Sequence, residues 1–246
     1  MRTWAGRRYW LVGASEGLGR ALAFALSRAG AEVIVSARSG DRLSDLVGRL
    51  PGPASHQVVD VSNPASVRAA VQAVGRIDGL VYLAGVYWPM AARAWDAERG
   101  ELMADINYTG AVRTVGAVLP GMVNRGQGHI VLTGSLSGFR GLPGAAGYGS
   151  SKAGVMYLAE ALHADLRGSG VNVQLVNPGF IRTRLTDKND FRMPFIMEPE
   201  AAAREIFEHM NTETFSRSFP TLFSRVFRLS RFLPDFLYYP LFGKSG

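Results

Sequence analysis

Short apolar runs alternate with longer helical stretches along most of the chain, and this alternation limits the available folds more than any other feature. The strand-like runs are Arg8–Val12, Glu32–Ser36, His56–Val59, Gly79–Leu83, His129–Thr133 and Val171–Val176. Between them lie helical stretches such as Gly17–Ala29, Pro64–Val74, Trp95–Arg125 and Tyr148–Arg167. Runs rich in Val, Ile and Leu with little polar alternation suit strands buried on both faces. Regular strand–helix alternation implies right-handed crossovers and a parallel, doubly wound α/β sheet. No internal repeat, low-complexity tract or linker interrupts the pattern, so residues 1–246 read as one domain. With 47% hydrophobic and 19% charged residues, the chain can bury a sizeable core.

Several classes fall away. No run of 18 apolar residues is free of charge, so no transmembrane helix is expected. Arg2, Arg7 and Arg8 precede an apolar run that breaks at Gly13, where a glycine turn stands in place of a cleavage site; this argues against a signal peptide. The absence of cysteine removes disulfide and thiolate chemistry and fits a reducing, cytoplasmic setting. The net charge of +7 comes from arginine: of 27 cationic side chains only Lys152, Lys188 and Lys244 are lysines. Such a bias reads as composition, and no nucleic-acid partner is expected. His56, His129, His163 and His209 match no metal spacing, so no metal is expected. The acids Asp96, Glu98, Glu101, Asp105, Glu160, Asp165 and those of 198–208 read as solvated helix faces.

The first strand runs into Gly13-Ala14-Ser15-Glu16-Gly17-Leu18-Gly19 and then a helix. Glycines there permit a tight turn, let backbone N–H groups approach a pyrophosphate and let the helix pack closely on the strand. The spacing is G-x3-G-x-G, which alone is weak evidence but gains weight from its place between strand and helix. An NAD site needs a carboxylate near the tip of the second strand to accept from the ribose 2′-OH. Here the tip reads Val35-Ser36-Ala37-Arg38-Ser39, and a guanidinium suits a 2′-phosphate. NADP(H) is therefore favoured over NAD(H).

Tyr148 and Lys152 stand four apart, so on a helix they share a face. A phenol whose ordinary pKa is near 10 is a poor base at neutral pH. A neighbouring ammonium and a cationic ring favour the phenolate. The expectation is a phenol drawn down towards neutrality, an electrostatic stabilisation of roughly 3–4 kcal/mol. In so lysine-poor a chain, a compact ammonium at this position is informative.

With these residues on the page, the chain resembles the short-chain dehydrogenase/reductase family over about residues 8–185. The shared features are Gly13-x3-Gly17-x-Gly19, Asp60-Val61, Ala84-Gly85, Asn107, Ser135 thirteen residues before Tyr148, Lys152 and Asn177-Pro178-Gly179. The resemblance implies a Rossmann-type sheet of about seven parallel strands and reversible hydride transfer between the nicotinamide and a carbonyl or secondary alcohol. It implies Tyr148 as general acid/base, Ser135 on the substrate oxygen, Lys152 on the nicotinamide ribose and Asn107 supporting a water relay to Lys152. Asp60 and Val61 would meet adenine, while Leu83, Ala84 and Gly85 would line the cofactor ribose. Pro178, Gly179 and Ile181 would lie against nicotinamide, with Thr183 near its carboxamide or the phosphates. Ser137 is the competing serine, at the wrong spacing. Residues 184–198 correspond to a substrate lid, with Leu185, Phe191, Met193 and Phe195 as an apolar lining for a hydrophobic substrate. Homo-oligomers are usual in the family.

Two departures stand out: Tyr82-Leu83 replaces the family's paired asparagines, and Val12 stands where threonine is common. The ending also differs. Thr214–Phe219 reads as a last strand, and Thr221–Leu233 as a basic amphipathic helix with an apolar arc of Leu222, Val226, Leu229 and Leu233 beside Arg225, Arg228 and Arg231. The extension of about 220–246 has three open readings: a cap on the cleft, a subunit contact, or attachment to an anionic membrane. Two rival functions remain at this stage, an NADP(H)-binding sensor without turnover and a peripheral membrane protein.

Overall fold

The computed structural model describes residues 2–242. Lys244 and the rest of the last four residues lie outside the described part of the expected extension. Seven strands form one sheet in the order β3-β2-β1-β4-β5-β6-β7, all parallel. They are β1 (Arg8–Val12), β2 (Glu32–Ser36), β3 (Ala54–His56), β4 (Gly79–Tyr82), β5 (Gly128–Thr133), β6 (Val171–Pro178) and β7 (Ser216–Phe219). Successive side chains leave a strand on opposite faces, and the two cores follow that rule. Trp10, Ile34, Leu80, Ile130 and Leu132 face one helical layer. Tyr9, Leu11, Val33, Val35, Val81 and Val131 face the other. The first layer holds α3 (Pro64–Val74), α5 (Gly110–Asn124) and α6 (Ala146–Asp165); the second holds α1 (Gly17–Arg28), α2 (Gly40–Arg49) and α7 (Pro199–Met210).

The central strands match the sequence reading, whereas the edge does not. The third strand lies earlier than His56–Val59, because the edge of a sheet needs little apolar surface and Ala54–His56 is only partly covered. Of the more apolar residues that follow, Val59 turns into the core and Val58 stays exposed. The expected helix Trp95–Arg125 is three pieces: α4 (Ala97–Met103), a π-helical turn (Ala104–Thr109) and α5. Asp96 starts α4 by accepting from the Arg99 N–H. Within the wide turn the Ile106 carbonyl accepts from the Tyr82 phenol at 2.6 Å, a contact that links the end of β4 to the residues around Asn107. The buried histidines take structural bonds. His129 lies between the Tyr9 hydroxyl (2.9 Å) and the Gln174 side-chain oxygen (2.8 Å), and burial holds its pKa down to about 3.

The ending is helical, as α8 (Thr221–Ser230) and α9 (Asp235–Phe242). Its apolar arc does not pack inwards. Phe223, Ser224, Phe227 and Ser230 form the covered side of α8, while Leu222, Val226 and Leu229 point away from the protein. Arg140 fastens the tail: its guanidinium donates to the carbonyls of Ser230 and Leu233, each at 2.6 Å, pairs with Asp235 and stacks on Tyr238. Among the described residues no helix is long and apolar enough to cross a membrane.

Candidate active site

A cavity of about 920 Å³ opens at the carboxyl ends of the strands, where β1 and β4 diverge in sequence order. That is where ligands bind open α/β sheets, because the loops there turn to opposite sides and leave a crevice. The turn after β1 enters it with Gly13, Ser15, Glu16, Gly17, Leu18 and Gly19. Gly13 has φ +94°, and a side chain on it would strike the backbone of Ala84. Gly17 has φ +53°, and a Cβ there would come 2.9 Å from Thr183 Cγ2. The turn is thus pressed between the end of β4 and the loop after β6, and only glycine fits at either contact. No side chain caps α1, so the donors of its first turn remain open to an anion.

Arg38 and Ser39 at the tip of β2 line the same cavity, as do Asp60, Val61, Leu83, Ala84, Gly85, Pro178, Gly179, Ile181 and Thr183. Asp60 is held below the usual carboxylate range chiefly by hydrogen bonding from Ser62, with help from Arg38. Arg42, one turn into α2, also lines the cavity; its guanidinium meets Glu16 Oε2 at 2.7 Å. Open amide donors, glycines that admit no side chain and the two arginines at 38 and 42 fit a phosphorylated dinucleotide. Thr183 lies against Gly17 in the glycine turn.

The reactive groups converge at the other end. Tyr148 sits in the first turn of α6, with Lys152 one turn further on; both line the cavity, and Lys152 is otherwise buried. Ser135, just past β5, accepts from both the N–H (3.2 Å) and the hydroxyl (3.0 Å) of Ser137. With its acceptor sites engaged, its own hydrogen is free to point towards Tyr148 or a ligand oxygen. The Tyr87 ring packs edge-on against Tyr148 at 5.0 Å between centroids.

Before a cofactor enters, burial governs both protonation states. Burial pushes the Tyr148 phenol up to about 12, against the opposing pull of Ser135. Lys152 does not offset this: its Nζ donates to the Thr133 carbonyl at 2.9 Å, lies 5.8 Å from the Tyr148 ring centroid, and is itself brought down to about 8 by burial. Proximity along a helix was legible in the sequence. The loss of water from both groups was not.

Asn107 is buried in the wall and does not line the cavity. Its amide oxygen accepts from Val86 N–H (2.7 Å), and its amide nitrogen donates to Val86 O (3.0 Å) and Ser151 Oγ (2.9 Å). It therefore braces the loop after β4 against α6, with one lone pair of its amide oxygen still open. Of the lid residues, Leu185 and Phe191 line the cavity, whereas Phe195 and Met193 do not. Phe195 is largely exposed and leans on Phe223. The 184–198 segment is tied across the mouth by Lys188 Nζ to Tyr87 O (2.7 Å), Tyr87 hydroxyl to Asn189 (2.9 Å) and Arg184 to Glu16 (3.1 Å). Phe223 and Phe227 of α8 also reach the cavity. Their spacing of four was the available signal, but the leucine and valine arc drew the sequence reading to the opposite face.

Residues 9–192 match the family model described as short chain dehydrogenase. An uncharacterized oxidoreductase of Myxococcus xanthus is 37% identical, over 96% of this chain and 94% of its own. A 3-oxoacyl-[acyl-carrier-protein] reductase of Vibrio cholerae is 33% identical, over 74% of this chain and 76% of its own. Among solved structures, a short-chain dehydrogenase from Sphingobium yanoikuyae in complex with NADPH superposes with a TM-score of 0.81 at 26% identity, covering 93% of this chain and 97% of that one.

Proposed function

Because the chain belongs to the short-chain dehydrogenase family, we propose that this oxidoreductase is an NADPH-dependent carbonyl reductase acting on hydrophobic ketones or aldehydes. The observation that carries this reading is the convergence of Ser135, Tyr148 and Lys152 on the cavity that also receives the glycine turn and Arg38. Cofactor choice is supported by Arg38 in the cavity just past β2, by Arg42 lining it from the first turn of α2, and by the NADPH bound to the Sphingobium relative.

The bound nicotinamide would supply the hydride to the carbonyl carbon. The residues of the chain handle the oxygen. Ser135, its acceptor sites engaged by Ser137, donates to the carbonyl oxygen and steadies the negative charge that grows there. Tyr148 then gives that oxygen its proton. A phenol pushed up to about 12 is fully protonated at neutral pH, which suits the reductive direction. Lys152, held by the Thr133 carbonyl on the floor of the site, would bind the ribose hydroxyls of the cofactor. Val86 and Asn107 hold the loop that carries Tyr87 against Tyr148. Leu185, Phe180, Phe191, Phe223 and Phe227 exclude water from the substrate side, with residues 184–198 acting as a lid.

Steady NADPH consumption with a panel of hydrophobic ketones and aldehydes tests the reading. Tyr148→Phe should lower turnover by about 10²–10⁴-fold while leaving NADPH binding within about twofold. Tight NADPH binding by the unaltered protein with no turnover on any carbonyl would mark it as a cofactor-binding sensor instead.

A further inference from the structure

We propose that the outer face of the C-terminal helices α8 and α9 docks on an anionic lipid surface. An amphipathic helix on a globular domain ordinarily turns its apolar side to the core. Here α8 does the reverse with Leu222, Val226 and Leu229, three of its five apolar residues. Leu222 and Leu229 are about two-thirds exposed, at 68% and 65%. Phe232 at 83%, Phe236 at 74% and Leu241 at 71% continue the apolar surface onto α9. Leaving so much contiguous apolar area in water is unfavourable unless something covers it.

Charge identifies the occupant. Arg225 and Arg228 border the Leu222–Val226–Leu229 strip on the exposed side of α8, and Arg231 follows at its end. Arg140 and Arg217 have carboxylate partners, whereas these three have none among the described residues. The only acidic side chain in the sequence of 221–246 is Asp235, and it is taken by Arg140. Unpaired guanidinium groups flanking leucine and phenylalanine match a bilayer of anionic head groups above acyl chains. The same arginines, like-charged across a two-fold axis, would oppose each other if a second copy covered this face. Phe223 and Phe227 on the inner side of α8 line the cavity, so docking would bring the cleft to the lipid boundary. This inference stands on the tail alone and does not require the reductase reading.

Vesicle sedimentation of the full chain decides it, using phosphatidylcholine alone and phosphatidylcholine mixed with phosphatidylglycerol. The protein should pellet with the anionic vesicles, release as salt rises, and stay in solution with the neutral ones. Arg225→Gln/Arg228→Gln/Arg231→Gln should lose on the order of 100-fold in partition coefficient. Leu222→Ser/Leu229→Ser/Phe236→Ser should also remain in the supernatant. Both variants should keep the thermal midpoint of the parent, since all six side chains are exposed. Equal supernatant recovery of the parent with and without anionic vesicles would overturn the proposal. So would equal pelleting of the serine variant, or a dimer in light scattering that the serine variant converts to monomer without any vesicle binding by the parent.

Discussion

Arg38→Ala isolates the basis of cofactor choice. Arg38 stands exposed at the rim of the cavity, two residues past β2, and is not engaged in any ion pair among the described residues. A charge-assisted bond to a phosphate contributes roughly 1.5–3 kcal/mol, and exposure to solvent puts Arg38 at the lower end. The variant should therefore raise the KM for NADPH about tenfold and leave that for NADH unchanged. Arg42 is a weaker second contact because Glu16 already holds it at 2.7 Å. Removing Arg42 alone should cost at most about fivefold, the span of an exposed pair, while Glu16→Gln should free Arg42 and improve NADPH binding. The assay is the ratio of kcat/KM for NADPH to that for NADH in each variant, at low and high salt. The Arg38 effect should shrink as ionic strength rises. Equal losses with both cofactors, or a parent enzyme that prefers NADH, would refute the assignment of this rim to a 2′-phosphate.

Proton transfer gives a second test. Reduction uses the protonated phenol, and Tyr148 lies up at about 12, so the reductive rate should be level from pH 6 to pH 7 while alcohol oxidation, which needs the phenolate, climbs about tenfold per pH unit. An oxidation rate already flat by pH 7 would show that the loaded enzyme pulls the phenol down and that burial does not govern. Tyr82→Phe removes the donor to the Ile106 carbonyl. It should lower stability by about 1–3 kcal/mol and, by loosening the turn that carries Asn107, reduce kcat more than it raises KM; an unchanged melting temperature would remove the bracing role given to this phenol.

Sequence pattern revealed most where one period or one contact sufficed. The central strands β1 and β2 are continuous buried runs, and their bounds in the structure are those of the apolar pattern. The Tyr148–Lys152 pairing followed from helical spacing alone. Legibility failed where an answer depended on several segments at once. The π-helical turn receives the phenol of Tyr82, some two dozen residues earlier, on its Ile106 carbonyl. Asn107 bonds to Val86 and Ser151, which lie on separate segments. The phenol's pKa depends on how much water the segments around it exclude. In the tail, two apolar arcs share one helix, and nothing local says that Phe223 and Phe227 face the cleft while Leu222 and Leu229 face away.

Arg140 joins the ending of the chain to its chemistry. It lies five residues beyond Ser135, and its guanidinium holds two backbone carbonyls and one carboxylate from the tail. Cutting the chain before Ser230 would remove all three acceptors and the Tyr238 ring together, leaving that cation to solvent and the loop beyond Ser135 without its anchor. A transplanted terminus from a relative would meet the same obstacle unless position 140 were exchanged with it. The two segments are bound to drift together or not at all.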